Sequence, residues 1–484
     1  MSTIKKITYL TVGQGINFLV NLIFMPYMAR AMTYSEYGTY GQVVLVFSVT
    51  CVIFSFGLSQ VIFVFLADKE KDSRIVLTSN LTASIISIAL SFFFISIFKN
   101  QISNGFNNPD ISTGLEIVKY SFFFFFFNSS LNAFLIGKGF AEKATKIIVI
   151  ANSLKVILVI LSVQLFGSLI FVFYSILIAS FIQLVLLIYS TKSYFTNSFS
   201  SKLVFQQIKI GFPLAITGIF GMGILQADAV MVSSSFDVKD YAIYRNGAFE
   251  IPFFSTLYAS IAAIIMPKVS ELWKAGEIKA IIYLKRKVII NSMAIIYPML
   301  FFFLINSRDI IELYLGDKYH KSAIIFLIFN LTLLIRINDY FDVLIASGKT
   351  NLILLFNVFV FIINLILNFT FIKIIGLPGA AVATVISLFI YAWIHLKYSF
   401  KTLETGFFVF FKIRDIGSIL LISFALGIVS FSVTFAFKLN GICKIAFYGL
   451  FFLFPTYYSL IKINLIDKQI VNKLLPMKIQ GLFK

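Results

Sequence analysis

Residues 147–189 read IIVIANSLKVILVILSVQLF, then GS, then LIFVFYSILIASFIQLVLLIY. The twenty residues before Gly167-Ser168 and the twenty-one after it carry a single charge, Lys155. At about 1.5 Å per residue each stretch is roughly 30 Å long, the thickness of the hydrocarbon core of a bilayer. A backbone in hydrocarbon must pair its own N–H and C=O groups, which a helix does within one segment. The two residues between the stretches leave room only for a tight reversal. The pair therefore predicts an antiparallel helical hairpin that crosses a membrane twice.

The rest of the chain repeats this theme. Of 484 residues 59% are hydrophobic and 13% charged, about half the charge of an ordinary soluble domain. Segments with strict alternation, the mark of a membrane barrel, are missing from the sequence. Fourteen spans are predicted, at 9–29, 39–66, 75–98, 117–137, 147–166, 169–189, 210–233, 246–266, 288–305, 323–346, 352–372, 378–396, 416–437 and 442–461. The fold class is all-α and integral to the membrane. The short basic N-terminus feeds the first span and reads as a start-transfer helix, not a cleaved signal.

The formal charge of +19 lies mainly in the connections. With the N-terminus inside, the inner segments collect 27 Lys and Arg and the outer ones 11, with Lys155 and Arg336 inside spans. That asymmetry predicts cytoplasmic termini and accounts for the charge by topology and anionic headgroups, with no nucleic-acid partner. Lys268–Lys287 is the strongest inner anchor, ending in Lys285-Arg286-Lys287. Asn104, Gly105, Asn107 and Asn108 read as an exposed outer turn. Cys51 and Cys443 in or beside apolar segments predict no disulfide, and His320 and His395 form no ligand cluster, so neither a metal nor a cofactor is expected.

A weak internal repeat organises the spans. Glu36, Tyr37 and Tyr40 superpose on Asp240, Tyr241 and Tyr244 at an offset of 204, and Leu135-Ile136 and Gly167 on Leu344-Ile345 and Gly376 at 209. Two pseudo-symmetric six-helix lobes, 1–200 and 201–400, follow, with two added helices and a tail over 401–484. Both halves start on the same side, so the repeat is parallel, a design suited to lobes that rock about a cleft.

Several motifs in order make the chain recognisable: Ala29-Arg30-Ala31-Met32 with Glu36-Tyr37-Gly38-Thr39-Tyr40, Phe56-Gly57-Leu58, Gly211-Phe212-Pro213-Leu214, the late Asp228, Pro267, Leu315-Gly316-Asp317, Ala346-Ser347-Gly348-Lys349, and Gly376-Leu377-Pro378-Gly379-Ala380-Ala381. Across most of its length the chain resembles the polysaccharide-transporter branch of the flippase superfamily that also holds the multidrug and toxin extruders. The resemblance implies the two-lobed fold of those extruders. It implies export of an undecaprenyl-pyrophosphate-linked oligosaccharide, of O-antigen or capsule type, across a bacterial cytoplasmic membrane. Expected partners are that lipid-linked glycan, membrane lipids, and a polysaccharide polymerase and chain-length regulator.

Ionisable groups inside spans are costly and point to function by default. Lys155 sits midway along the fifth span with Asn152 one turn earlier, and is the first candidate for the pyrophosphate; the competing reading is a snorkelling or paired lysine. Arg336 is also deep, and either meets substrate or pairs locally with Asp339 or Asp342. Arg30 and Arg245 lie at the outer ends of spans one and eight. Asp228 and Glu250, in the outer halves of spans seven and eight, either carry a coupling ion or pair with those arginines. Gln14, Asn17 and Asn21 form a polar stripe on span one, and Asn128 and Asn132 on span four, for sugar hydroxyls or for interhelical hydrogen bonds. The six rings of Phe122–Phe127 point all round their helix and face mostly lipid or core.

Three rivals remain. A proton- or sodium-coupled drug antiporter fits the acids at 228 and 250. A peptidoglycan-precursor flippase would be expected to carry more arginines in its first spans. A membrane glycan polymerase or ligase would need a long outer loop rich in Arg, His or acids, and the sequence has none. It also has no Gly-rich phosphate loop for direct use of ATP.

Overall fold

The computed structural model describes residues 19–466 except 21, 69, 339 and 438–440. Among the described residues every regular element is helical. Residues 22–31 are helical, and a capping box follows, in which the Thr33 hydroxyl accepts from the Glu36 N–H and the Glu36 carboxylate accepts from the Thr33 N–H. It opens α1 (Tyr34–Ile53). Then come α2 (Leu58–Ala67), α3 (Ser73–Gly105), α4 (Asp110–Val118), α5 (Ser121–Gly137), α6 (Ala141–Phe166), α7 (Leu169–Thr191), α8 (Ser201–Ser235) and α9 (Val238–Gly247). The remainder comprises α10 (Pro252–Lys274), α11 (Ile278–Ile305), α12 (Ser307–Leu315), α13 (Ser322–Asn330), α14 (Asp342–Ala346), α15 (Thr350–Ile375), α16 (Leu377–Thr402), α17 (Phe407–Phe410), α18 (Ile413–Ala436), α19 (Gly441–Tyr448) and α20 (Phe454–Lys462).

Ten of these helices or helix runs are long and apolar enough to cross a membrane, and α4 with α5, bent by 45° at a short break, is apolar enough to make an eleventh if the pair is one span. The protein is a multi-pass membrane protein. Three predicted spans take other forms. Most of 9–29 lies outside the described residues. The eighth starts at Pro252, after a non-helical stretch at 248–251. The tenth, read from sequence as one helix over 323–346, is broken: α13 and a 3₁₀ turn at Leu331–Leu334 end before a non-helical stretch, and helix resumes at Asp342. Asn330, Thr332, Arg336, Asn338 and Asp342 crowd this span with polar groups, and such backbone is tolerated at membrane depth only where protein or a wet cavity surrounds it.

The chain forms two compact units, Met1–Ala242 and Ile243–Lys484. In the first, the second span breaks between α1 and α2, where Phe56 (φ 46°) and Gly57 (φ 61°) are left-handed. The break is seated on α8: a β-carbon on Gly57 would lie 2.6 Å from the Gly211 carbonyl oxygen, and one on Gly211 would lie 2.0 Å from that of Phe56. Two motifs of the resemblance thus meet backbone to backbone, which only glycine permits. Gly38, inside the first repeat motif, touches Val238 at the head of the second, at a separation that leaves a β-carbon 2.3 Å from the Val238 carbonyl oxygen. Asn108 departs from the exposed turn expected of it. It is buried, and its amide donates to Thr39 (2.8 Å) and Gln42 (2.7 Å) of α1, so this end of the loop ties α3 to α1.

The second unit has one large apolar core, drawing Val269 from α10, Ile281 and Ile289 from α11, Leu333, Ile419 from α18 and Leu460 from α20. Tyr457 donates to the Ile295 carbonyl (2.7 Å) and Tyr448 to that of Gly427 (2.9 Å), which fastens the last two spans onto the unit. On α5, Phe122 and Phe126 are buried while Phe123 and Phe125 are exposed, and Phe122 stacks on Phe47 at 4.8 Å.

Candidate functional site

Lys155 stands in the middle of α6, partly buried. Its ammonium lies 5.8 Å from the centre of the Phe24 ring, and Tyr27, one turn further along, donates to the Ile160 carbonyl at 3.3 Å. The 22–31 helix therefore runs alongside α6. Among the described residues no carboxylate lies within ion-pair distance of Lys155. A cation at this depth is costly, and the contact described for it is a ring face. Arg30, exposed, lies six residues beyond Phe24 on the same helix, about 9 Å further along the axis. Asn152 is partly buried one turn before Lys155. Gln14, Asn17 and Asn21 lie outside the described residues.

Asn128 donates to the Ser180 carbonyl of α7 at 3.1 Å, the interhelical role that competes with sugar binding, while its amide oxygen is buried without a partner, as is that of Asn132. Asp228 is buried on α8, where its carboxylate accepts from the next N–H, of Ala229, at 2.6 Å.

In the second unit Arg336 and Glu250 form an ion pair of 3.0 Å, with side chains 25% and 14% exposed. Each lies in a break, Glu250 before α10 and Arg336 before α14. The breaks place charge and unsatisfied polar groups together: Glu250 keeps one carboxylate oxygen without a partner, and Asn338, 1% exposed, has no partner for either amide atom. Asn246, fully buried on α9, is in the same condition. Tyr297 donates to the Leu334 carbonyl at 3.0 Å and Tyr340 to that of Ile335, compensating backbone acceptors freed by the break.

The local pairing of Arg336 with Asp342 does not form. Asp342 belongs instead to Lys285, at 2.6 Å, with both side chains almost fully buried. Asp339 lies outside the described residues. Arg245 is partly buried on α9. The sequence places Lys285 in a cytoplasmic anchor, but α11 starts ten residues before the predicted span. The signal was present: Ile281, Lys285 and Ile289 are spaced by four, on one buried helix face.

The model of the family described as "Polysaccharide biosynthesis protein" matches residues 3–273, more than half of the chain. The chain belongs to this family. An uncharacterised membrane protein of Methanocaldococcus jannaschii is 27% identical over 286 residues, 57% of this chain and 55% of that relative; the chain thus spans just over half the length of the curated relative it matches. The fold is similar to that of the lipid II flippase MurJ in an inward closed conformation, with TM-score 0.75, 18% identity, and 94% of this chain and 99% of that one covered. It is also similar to an inward-facing multidrug resistance MATE family transporter of the MOP superfamily, with TM-score 0.64, 14% identity, and 82% and 98% covered. A MOP superfamily transporter from Pyrococcus furiosus follows, with TM-score 0.59, 13% identity, and 82% and 94% covered. The all-α, MATE-like fold expected from the sequence is the fold of this protein.

Proposed function

We propose that this polysaccharide-biosynthesis family member is a flippase that carries an undecaprenyl-pyrophosphate-linked oligosaccharide of O-antigen or capsule type from the inner to the outer leaflet of a bacterial cytoplasmic membrane, with both termini cytoplasmic. The isoprenoid tail is at home in lipid, and only the sugars and pyrophosphate need a wet, cationic path. Two lobes, 1–200 and 201–400, rock about that path, and 401–484 adds two further helices. No bond is made or broken, so the protein is not an enzyme. A polymerase and a chain-length regulator receive the product.

The observation that carries this reading is Lys155: a cation in mid-span with no carboxylate beside it among the described residues. The pyrophosphate meets Lys155, with Arg336 as a second cation, and leaves past Arg30. Asn152, Gln14, Asn17, Asn21, Asn128 and Asn132 serve sugar hydroxyls. Asp228, Arg245, Asp339 and Asp342 remain structural or coupling groups on this reading. The drug-antiporter alternative gains little from Glu250, because Arg336 already neutralises it.

The test is Lys155→Ala against Lys155→Arg, scored for surface glycan at matched protein levels. Loss in the first and retention in the second is expected. Unchanged glycan in Lys155→Ala removes Lys155 from the mechanism.

A further inference from the structure

A pocket of about 480 Å³ opens in the second unit at the start of α18 and the end of α20, against residues 283–291 of α11. Among the described residues its walls carry Arg286, Lys287 and Lys412 against one acid, Asp415, which stands 3.9 Å from Lys412 and only partly offsets it. The apolar part of its lining includes Tyr283 and the buried Ile466. Lys412 is also the cap residue of α18, and no side chain caps that helix, so its first N–H groups add partial positive charge to the same space.

The surroundings say what kind of anion fits. The Arg286 Nε donates to the Val409 carbonyl at 2.9 Å, which seats the guanidinium against α17. Beside that contact Phe407 and Phe408 are 50% and 70% exposed, and Ile413 is 62% exposed. α18 starts and α20 ends here, and the charged part of α11 gives way to its apolar part at Lys287, which argues that the exposed rings meet the edge of the hydrocarbon and the cations the headgroups. Cations around a cavity with exposed aromatic and aliphatic groups next to it match a molecule that joins a phosphate to acyl chains. A soluble phosphate would use the cations and leave the apolar rim unused.

We propose that this pocket binds the phosphodiester headgroup of an anionic phospholipid of the inner leaflet, as a site additional to the transport path. Bound there, the lipid bridges α11, α18 and the end of α20, and braces the last two spans on the second unit. The site does not depend on which substrate is carried.

The test uses the purified full-length protein in detergent micelles, with lipid adducts counted by native mass spectrometry. Dioleoylphosphatidylglycerol is expected to bind at least tenfold more tightly than dioleoylphosphatidylcholine. The triple variant Arg286→Gln, Lys287→Gln, Lys412→Gln should lose that preference. A variant with the same loss of charge on the first unit, Lys192→Gln, Lys202→Gln, Lys209→Gln, should keep it. Asp415→Asn, which removes the one opposing charge, should tighten phosphatidylglycerol binding and keeps the idea testable should the triple variant misfold. Equal loss in both triple variants would mean that net charge alone attracts the lipid, and would overturn the proposal. Saturation by glycerol phosphate as tightly as by the whole lipid would overturn it in favour of a free-anion site.

Discussion

Lys285 on α11 and Asp342 on α14 form an ion pair of 2.6 Å with side chains 2% and 1% exposed. Asp342 opens the helix that resumes after the break in the tenth span, and its other oxygen accepts from the Val343 N–H at 2.7 Å. The pair therefore anchors the far side of the break to the long helix α11. Removing one member of such a pair strands a buried charge, which costs about 3–5 kcal/mol, whereas replacing both with apolar groups is close to neutral. Lys285→Met or Asp342→Leu alone should lower the melting temperature in detergent by several degrees. The double variant should recover most of the loss. Additive effects of the two changes would contradict the pairing.

The Arg336–Glu250 pair makes a different prediction because Arg336 remains partly exposed. Arg336→Gln should reduce glycan output more than tenfold. In the double variant Glu250→Gln, Arg336→Gln no charge is stranded, so folding should return. Transport should not return, since the cation proposed to meet the pyrophosphate is still missing. Full recovery of surface glycan in the double variant would make the pair purely structural.

Backbone contact at Gly57 and Gly211 sets a steric prediction. Gly211→Ala puts a β-carbon 2.0 Å from the Phe56 carbonyl oxygen, so backbone must move. The yield of folded protein should fall sharply, measured by size-exclusion chromatography of a fluorescent fusion. Gly167→Ala is the control. Its left-handed φ of 58° costs about 1–2 kcal/mol, but open space surrounds the position, so most of the protein should still fold.

Membrane voltage supplies the last prediction. An inside-negative potential favours outward movement of an anion by about 2.3 kcal/mol per charge per 100 mV, so a pyrophosphate dianion crossing the full field gains roughly 5 kcal/mol. In proteoliposomes with a fluorescent lipid-linked pyrophosphate, an imposed potential of that sign should accelerate flipping, and an ionophore that collapses it should abolish the acceleration. A rate indifferent to voltage would mean that the charge moves with compensating cations.

Hydropathy along the chain was enough to determine that this is a helical, many-span membrane protein, because a dry bilayer forces any long apolar stretch such as Leu169–Tyr189 to satisfy its backbone as a helix. The order of motifs around Glu36, Gly57, Gly211 and Gly376 was likewise enough to identify its family. Lys155 was legible for the same reason: a lone charge among apolar residues stands out in one dimension. What the linear reading could not supply was the choice of partners. Whether Arg336 meets Asp342 or Glu250, whether Lys285 lies in a loop or in a core, and whether the tenth span runs straight all depend on groups 57 to 86 residues away in sequence. Ion pairing and helix breaking at depth are decided by which charges the fold buries side by side, and only the tertiary structure holds that information.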